Sequence, residues 1–170
     1  MRRGIYRDAA VGHLHFTTDL ADLADRDLVV EAVVEDEDMK VDIFRQLDQV
    51  IVSDDAILAS NTSSIPIMKL GTATQRPEQV IGIHFFNPVP VLKLVELVNS
   101  LMTSDATTGR SEQFAIDTLD KRVIHSQDRA GFVVNALLIP YLLSAIRMME
   151  SGFASAEDID TGMIEGCSHP

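Results

Sequence analysis

With 170 residues, 46% of them apolar, the chain is long enough to bury one real core, and its composition argues against disorder. A formal charge of −12, with no basic run beyond Arg2-Arg3, argues against a general electrostatic footprint for nucleic acid or an anionic membrane surface. Cys167 is the only cysteine, which excludes an intramolecular disulfide framework and a thiolate metal cluster and points to a reducing, cytoplasmic setting.

Met1 to Val11 lacks the apolar core of a signal peptide. From Leu14 onward, strand-like and helix-like patterns alternate. Leu14 to Thr18 and Asp27 to Val33 read as strands, and Asp36 to Val52 as an amphipathic helix whose apolar stripe is Met39, Ile43, Phe44, Leu47, Val50 and Ile51. The acids Asp36, Glu37 and Asp38 suit the positive end of that helix. Ala56 to Ser60 reads as a short strand, a helix begins near Ile65, and Val80 to His84 and Leu92 to Val98 are further strands. Ser104 caps a helix running to about Leu119, and Val123 to Ser126 is a last strand. Ala130 to Glu150 is one long helical pattern, broken at Gly152 before a second helix opened by Ser155. Within it, Phe132 to Met149 approaches membrane-spanning length, but Asn135, Pro140, Ser144 and Arg147 interrupt it, so a buried helix of a soluble protein is expected. The alternation predicts α/β layering over residues 1–126, handing over near Gln127 to helices over 127–170.

On the strand Leu92 to Val98, Leu92, Leu94, Glu96 and Val98 share one side, which leaves Glu96 on an apolar face. A carboxylate there costs several kcal/mol unless it finds a partner. His84, at the end of the run Val80 to Ile83, is the candidate, because in α/β sheets catalytic groups gather at the carboxyl ends of strands. A glutamate on one imidazole nitrogen orients the ring and leaves the other nitrogen as a general base, although a structural His–Glu ion pair fits the same pattern. Ser60-Asn61-Thr62-Ser63-Ser64 lies at the same sheet edge and suits either hydrogen bonding to a substrate oxygen or ribose, or capping of the helix that follows. Asn135, in a helix apolar nearly all round, needs a structural or ligand partner. The run Glu35 to Asp38 is explained by helix charge complementarity, and the five histidines form no ligand spacing, so no metal is expected.

Four pieces of sequence converge: V-E-A-V-V-E-D at 30–36, S-N-T-S-S at 60–64, H-F-F-N-P-V-P at 84–90 with K-L-V-E at 93–96, and G-F-V-V-N-A-L-L-I-P-Y at 131–141. Together they resemble the 3-hydroxyacyl-CoA dehydrogenase family, particularly its bacterial 3-hydroxybutyryl-CoA members, from about Leu14 to Pro170. The resemblance implies an incomplete Rossmann-like NAD-binding domain followed by the start of an all-α domain. It implies that His84 is the catalytic base and Glu96 its orienting partner, with Ser63 and Asn135 holding the reacting oxygen of a 3-hydroxyacyl-CoA substrate. Glu35, Lys40, Asn87 and Ser63 match positions that contact NAD in the family, and Asn61 lies close by. The implied reaction, part of fatty acid metabolism, takes the 3-hydroxyl proton on His84 while hydride passes from C3 to NAD, giving a 3-ketoacyl-CoA.

The chain departs from the family's pattern at both ends. Family members begin with a strand, a G-x-G-x-x-G turn and a helix, whereas no two glycines here are separated by a single residue, and Met1 to Gly12 looks like the tail of a later helix. Family members also continue beyond Ser168-His169-Pro170, and Ala136 stands where many relatives have arginine. The chain is therefore expected to be truncated at both ends, with an exposed sheet edge and a weakened version of the family's homodimer. The alternative to a working enzyme is a non-catalytic remnant, or a module that binds acyl-CoA or a related subunit.

Overall fold

The computed structural model describes residues 11–169. Five strands form one sheet in spatial order β1 to β5: β1 (Leu28–Glu31), β2 (Ile57–Ser60), β3 (Val80–Phe85), β4 (Leu94–Asn99) and β5 (Arg122–Gln127). All neighbouring pairs are parallel except β3 and β4. The helices are α1 (Glu37–Val50), α2 (Ile67–Thr72), α3 (Asp105–Gln113), α4 (Val134–Glu150) and α5 (Ala156–Cys167). The architecture is α/β and Rossmann-like, followed by helices.

Strand side chains alternate between faces, and two apolar clusters result. Leu58, Val80 and Val98 meet Phe44, Leu47 and Ile51 from the α1 region, Ile67 and Leu70 from α2, and Phe132. Ile57, Ala59, Ile81, Ile83, Val95 and Leu97 fill the opposite face. α2 lies so close to the first face that a Cβ on Gly82 would sit 2.8 Å from Val98 Cβ and 3.0 Å from Ile67 Cδ1. Only a residue without a side chain fits there. The same face, continued toward the carboxyl ends of β1 to β3, carries polar groups: Glu31 pairs in register with Ser60, Ser60 with Gly82, and His84 with Glu96.

Local signals explain the helix ends. Ser104 caps α3 and Ser155 caps α5, as their sequence positions predict, and Asp36, expected as the first residue of α1, is its cap, accepting from Met39 N at 2.9 Å. Gly152, at φ +71°, makes the break between α4 and α5.

The structure differs from the sequence reading in four places. Leu14 to Thr18 is not a strand: no described strand lies beside it to complete a ladder, and Leu14 and Phe16 are exposed. The buried face of α1 is set by Lys40, Phe44 and Leu47, while Met39 is 47% exposed. α2 starts at Ile67, two residues later than expected, because Pro66 precedes it. α4 is not buried: Leu137, Ile139, Leu142 and Ile146 are all exposed, since α5 is the only described helix with substantial contact to it. No helix among the described residues is long and apolar enough to cross a membrane. The helix tail expected over Met1 to Gly12 lies almost wholly outside the described residues.

Candidate active site

His84 and Glu96 face each other across the antiparallel β3/β4 pair, in register and on one face. Antiparallel neighbours bring opposed side chains within reach, and here His84 Nδ1 lies 2.7 Å from Glu96 Oε2. Glu96 has no exposed surface, and its desolvation is met by three hydrogen bonds. Besides His84, its Oε1 accepts from the backbone amides of Val133 and Val134, both at 3.0 Å, at the start of α4. A carboxylate already accepting two N–H groups serves as acceptor for Nδ1–H as well. That fixes the neutral imidazole tautomer with the lone pair on Nε2, to which no described residue hydrogen-bonds. Phe86 and Phe132 flank the ring, with centroids 4.6 and 5.5 Å away. The arrangement can hold and release a proton at Nε2.

A second buried polar group lies at the carboxyl ends of β1 and β2. Lys40 is 1% exposed, and its Nζ donates to Glu31 Oε1 at 2.7 Å and to the Val33 carbonyl at 3.3 Å, with Glu35 Oε2 at 3.4 Å. Glu31 also accepts from Ser60 Oγ at 2.6 Å and from Val33 N at 2.6 Å. Glu35 closes over this group and gathers the Ser60–Ser64 loop: its Oε1 accepts from Thr62 Oγ1, from Ser63 N at 3.0 Å, and from Ser64 N and Oγ at 3.2 and 3.0 Å. Partial burial raises the Glu35 carboxyl pKa, but the hydrogen bonds from Thr62, Ser64 and Ser63 and the charge of Lys40 outweigh it, bringing the value down from 4.5 to about 2.

The predicted residues thus fall into two groups. His84 and Glu96 are in contact, and Asn135 follows Val134 in the first turn of α4, next to the amides that hold Glu96. Glu35, Lys40 and Ser63 form the other group. Ser63 is half-buried and its hydroxyl reaches Glu35 only at 3.5 Å, whereas Lys40 is closed off beneath Glu35 and presents no ammonium to solvent. Asn61 Oδ1 accepts from Phe85 N at 2.8 Å, tying the loop to the end of β3, and Asn87 is exposed just beyond it. The loop does not cap α2 with a side chain. That role falls to Asp128, whose two carboxylate oxygens accept from Ile67 N and Met68 N at 2.9 and 2.7 Å from sixty residues further along the chain.

Sequence reasoning missed Glu31, Phe132 and Asp128, and did not pair Ser60 with Glu31. Glu31 carried a usable signal, an acid ending the apolar run Leu28 to Val30, and Lys40 shares a helix face with Phe44 and Leu47 at i, i+4 and i+7. An acid and a lysine both buried by pattern ask for each other. A surface hollow lined by Asn99, Ser100, His125 and Arg129 lies at the far ends of β4 and β5 and does not include His84.

Residues 4–129 match the family model described as 3-hydroxyacyl-CoA dehydrogenase, NAD binding domain, and residues 131–170 match that of the 3-hydroxyacyl-CoA dehydrogenase C-terminal domain. The chain belongs to the 3-hydroxyacyl-CoA dehydrogenase family. It is 62% identical over 164 residues to a 3-hydroxybutyryl-CoA dehydrogenase of Mycobacterium tuberculosis, covering 96% of this chain and 57% of that one. Among solved structures, Mycobacterium tuberculosis FadB2 matches with a TM-score of 0.95 and 62% identity, and (S)-3-hydroxybutyryl-CoA dehydrogenase PaaH1 from Ralstonia eutropha with 0.92 and 44%. Each alignment covers 96% of this chain and 57% of the other. The chain thus spans somewhat over half the length of these relatives.

Proposed function

We propose that this chain carries the proton-transfer centre of an NAD-dependent 3-hydroxyacyl-CoA dehydrogenase, acting on short substrates such as 3-hydroxybutyryl-CoA. The observation that carries the reading is the 2.7 Å contact of Glu96 with His84 Nδ1, which leaves Nε2 as the base at the carboxyl edge of the sheet. His84 removes the proton of the 3-hydroxyl and returns it in the reverse direction. Glu96 holds the ring and stabilises the imidazolium that forms. Ser63 and Asn135 orient the reacting oxygen, so that catalysis rests on positioning and base strength.

The residues present suit the nicotinamide end of NAD. Asn61 spends its carbonyl on Phe85 and keeps its amide N–H₂ as donor, Ser63 Oγ is loosely held, and Asn87 is exposed beside them. Glu35 and Lys40 act beneath this set by fixing the loop. When bound, NAD supplies the hydride acceptor for C3. The same reading gives residues 1–126 to the cofactor domain and 127–170 to the helical domain. It places the reaction in β-oxidation in the cytoplasm, with a family-like homodimer as the assembly, and the lone Cys167 suits that compartment.

The test is NAD binding by calorimetry together with acetoacetyl-CoA-dependent NADH oxidation on the same sample. Turnover that falls by roughly 10²–10⁴ in His84→Gln, with KM little changed, supports the reading. Near-normal turnover in that variant removes His84 from the mechanism. Acetoacetyl-CoA binding without any turnover favours the interaction module instead.

A further inference from the structure

We propose that Phe132 is a positioning residue for His84, acting through both its ring and its backbone. Phe132 is 6% exposed and sits in the apolar cluster beneath the sheet's polar edge, with its ring edge-on to His84 at 5.5 Å and 63°. Phe86 approaches the same imidazole at 4.6 Å, so the two aromatic rings limit how the imidazole can turn about its own axis.

The backbone supplies the second part of the argument. Phe132 has φ +49°, directly after Gly131 at φ +78°. Glycine takes that region freely, but a bulky aromatic residue does so only when its surroundings over-determine it. The surroundings here are the buried ring and two hydrogen bonds, Phe132 N to the Arg129 carbonyl and Ala136 N to the Gly131 carbonyl, both at 2.9 Å. Two successive left-handed residues turn the chain so that the next two amides, of Val133 and Val134, converge on Glu96 Oε1. Glu96 is thereby oriented from one side, and its other oxygen is aimed at Nδ1. One residue fixes the acceptor and the ring of the same hydrogen bond. The importance of this to catalysis rests on reading His84 as the base; the positioning itself does not.

The experiment is nitrogen NMR on the 170-residue chain labelled with ¹⁵N-histidine, with the His84 signals assigned by their loss in His84→Gln. At a pH where the ring is neutral, the unaltered chain shows a single tautomer with the proton on Nδ1. In Phe132→Leu, or in Phe132→Met should the first not fold, the opposite tautomer rises to at least a tenth of the population, while Phe132→Tyr, which keeps the ring, retains the single form. Ile67→Val, a change in the same apolar cluster that leaves the ring contact intact, provides the comparison for general loosening of the core. A single Nδ1–H tautomer in every folded variant lacking the ring, or an equal response in Ile67→Val, overturns the proposal. A tautomer response in a chain that shows no turnover leaves the positioning in place and removes only the catalytic reading.

Discussion

Replacing Glu96 with alanine or with glutamine separates its structural task from its chemical one. Alanine deletes the acceptor of three hydrogen bonds. Val133 is 39% exposed, so water replaces the acceptor at the helix end, but His84 at 6% exposure has no such recourse. Stranding the buried Nδ1–H of a neutral imidazole costs about 1–3 kcal/mol, and the cavity left by the deleted side chain adds about 1 kcal/mol. Glutamine keeps the volume and one oxygen for the two amides. It forfeits their charge assistance and turns an N–H₂ toward Nδ1, which forces the other tautomer, at a cost of about 1–2 kcal/mol. Urea unfolding followed by far-UV circular dichroism reads the difference. With a slope of about 2 kcal/mol per molar, the midpoint falls by about 1–2 M for Glu96→Ala and by about 0.5–1 M for Glu96→Gln. In a chain that turns over, both variants lose activity alike, by roughly 10²–10⁴, because both remove the Nδ1 acceptor. Equal destabilisation by the two substitutions, or a cost below about 1 kcal/mol for alanine, refutes the reasoning that Glu96 is held by what it accepts.

Lys40→Met leaves Glu31 buried without its cation and is expected to lower stability by about 3–5 kcal/mol, whereas the double variant Glu31→Gln/Lys40→Met costs less than the single one. Urea unfolding of both checks the order. Glu35 is expected to titrate with a midpoint of about 2, read from its side-chain carboxyl signal in carbon NMR, with the Ser63 and Ser64 amides moving in the same transition. Because the folded-state value is depressed below 4.5, the stabilisation of the loop is fully present above that pH and is lost as pH falls toward 2. A midpoint near 4.5 with unmoved amides shows that Glu35 does not hold the loop.

Much of this was legible in the chain itself. A carboxylate on the apolar side of Leu94-Val95-Glu96-Leu97-Val98 cannot remain unpaired, and His84 at the end of an apolar run was the natural partner; strand periodicity and the cost of burying charge suffice for that inference. The caps at Ser104 and Ser155 and the break at Gly152 follow from local hydrogen bonding and backbone sterics, which neighbouring residues decide. Long-range pairing is different. That Asp128 rather than the Ser60–Ser64 loop caps α2, that Glu35 gathers the loop, and that the amides opening α4 meet Glu96 depend on which chain ends the sheet order brings together. The same holds for Leu14 to Thr18 and for α4. An extended apolar segment becomes a strand only beside another edge, and a helix apolar all round is buried only where other elements cover it, so their state was decided by tertiary neighbours and not by their own residues.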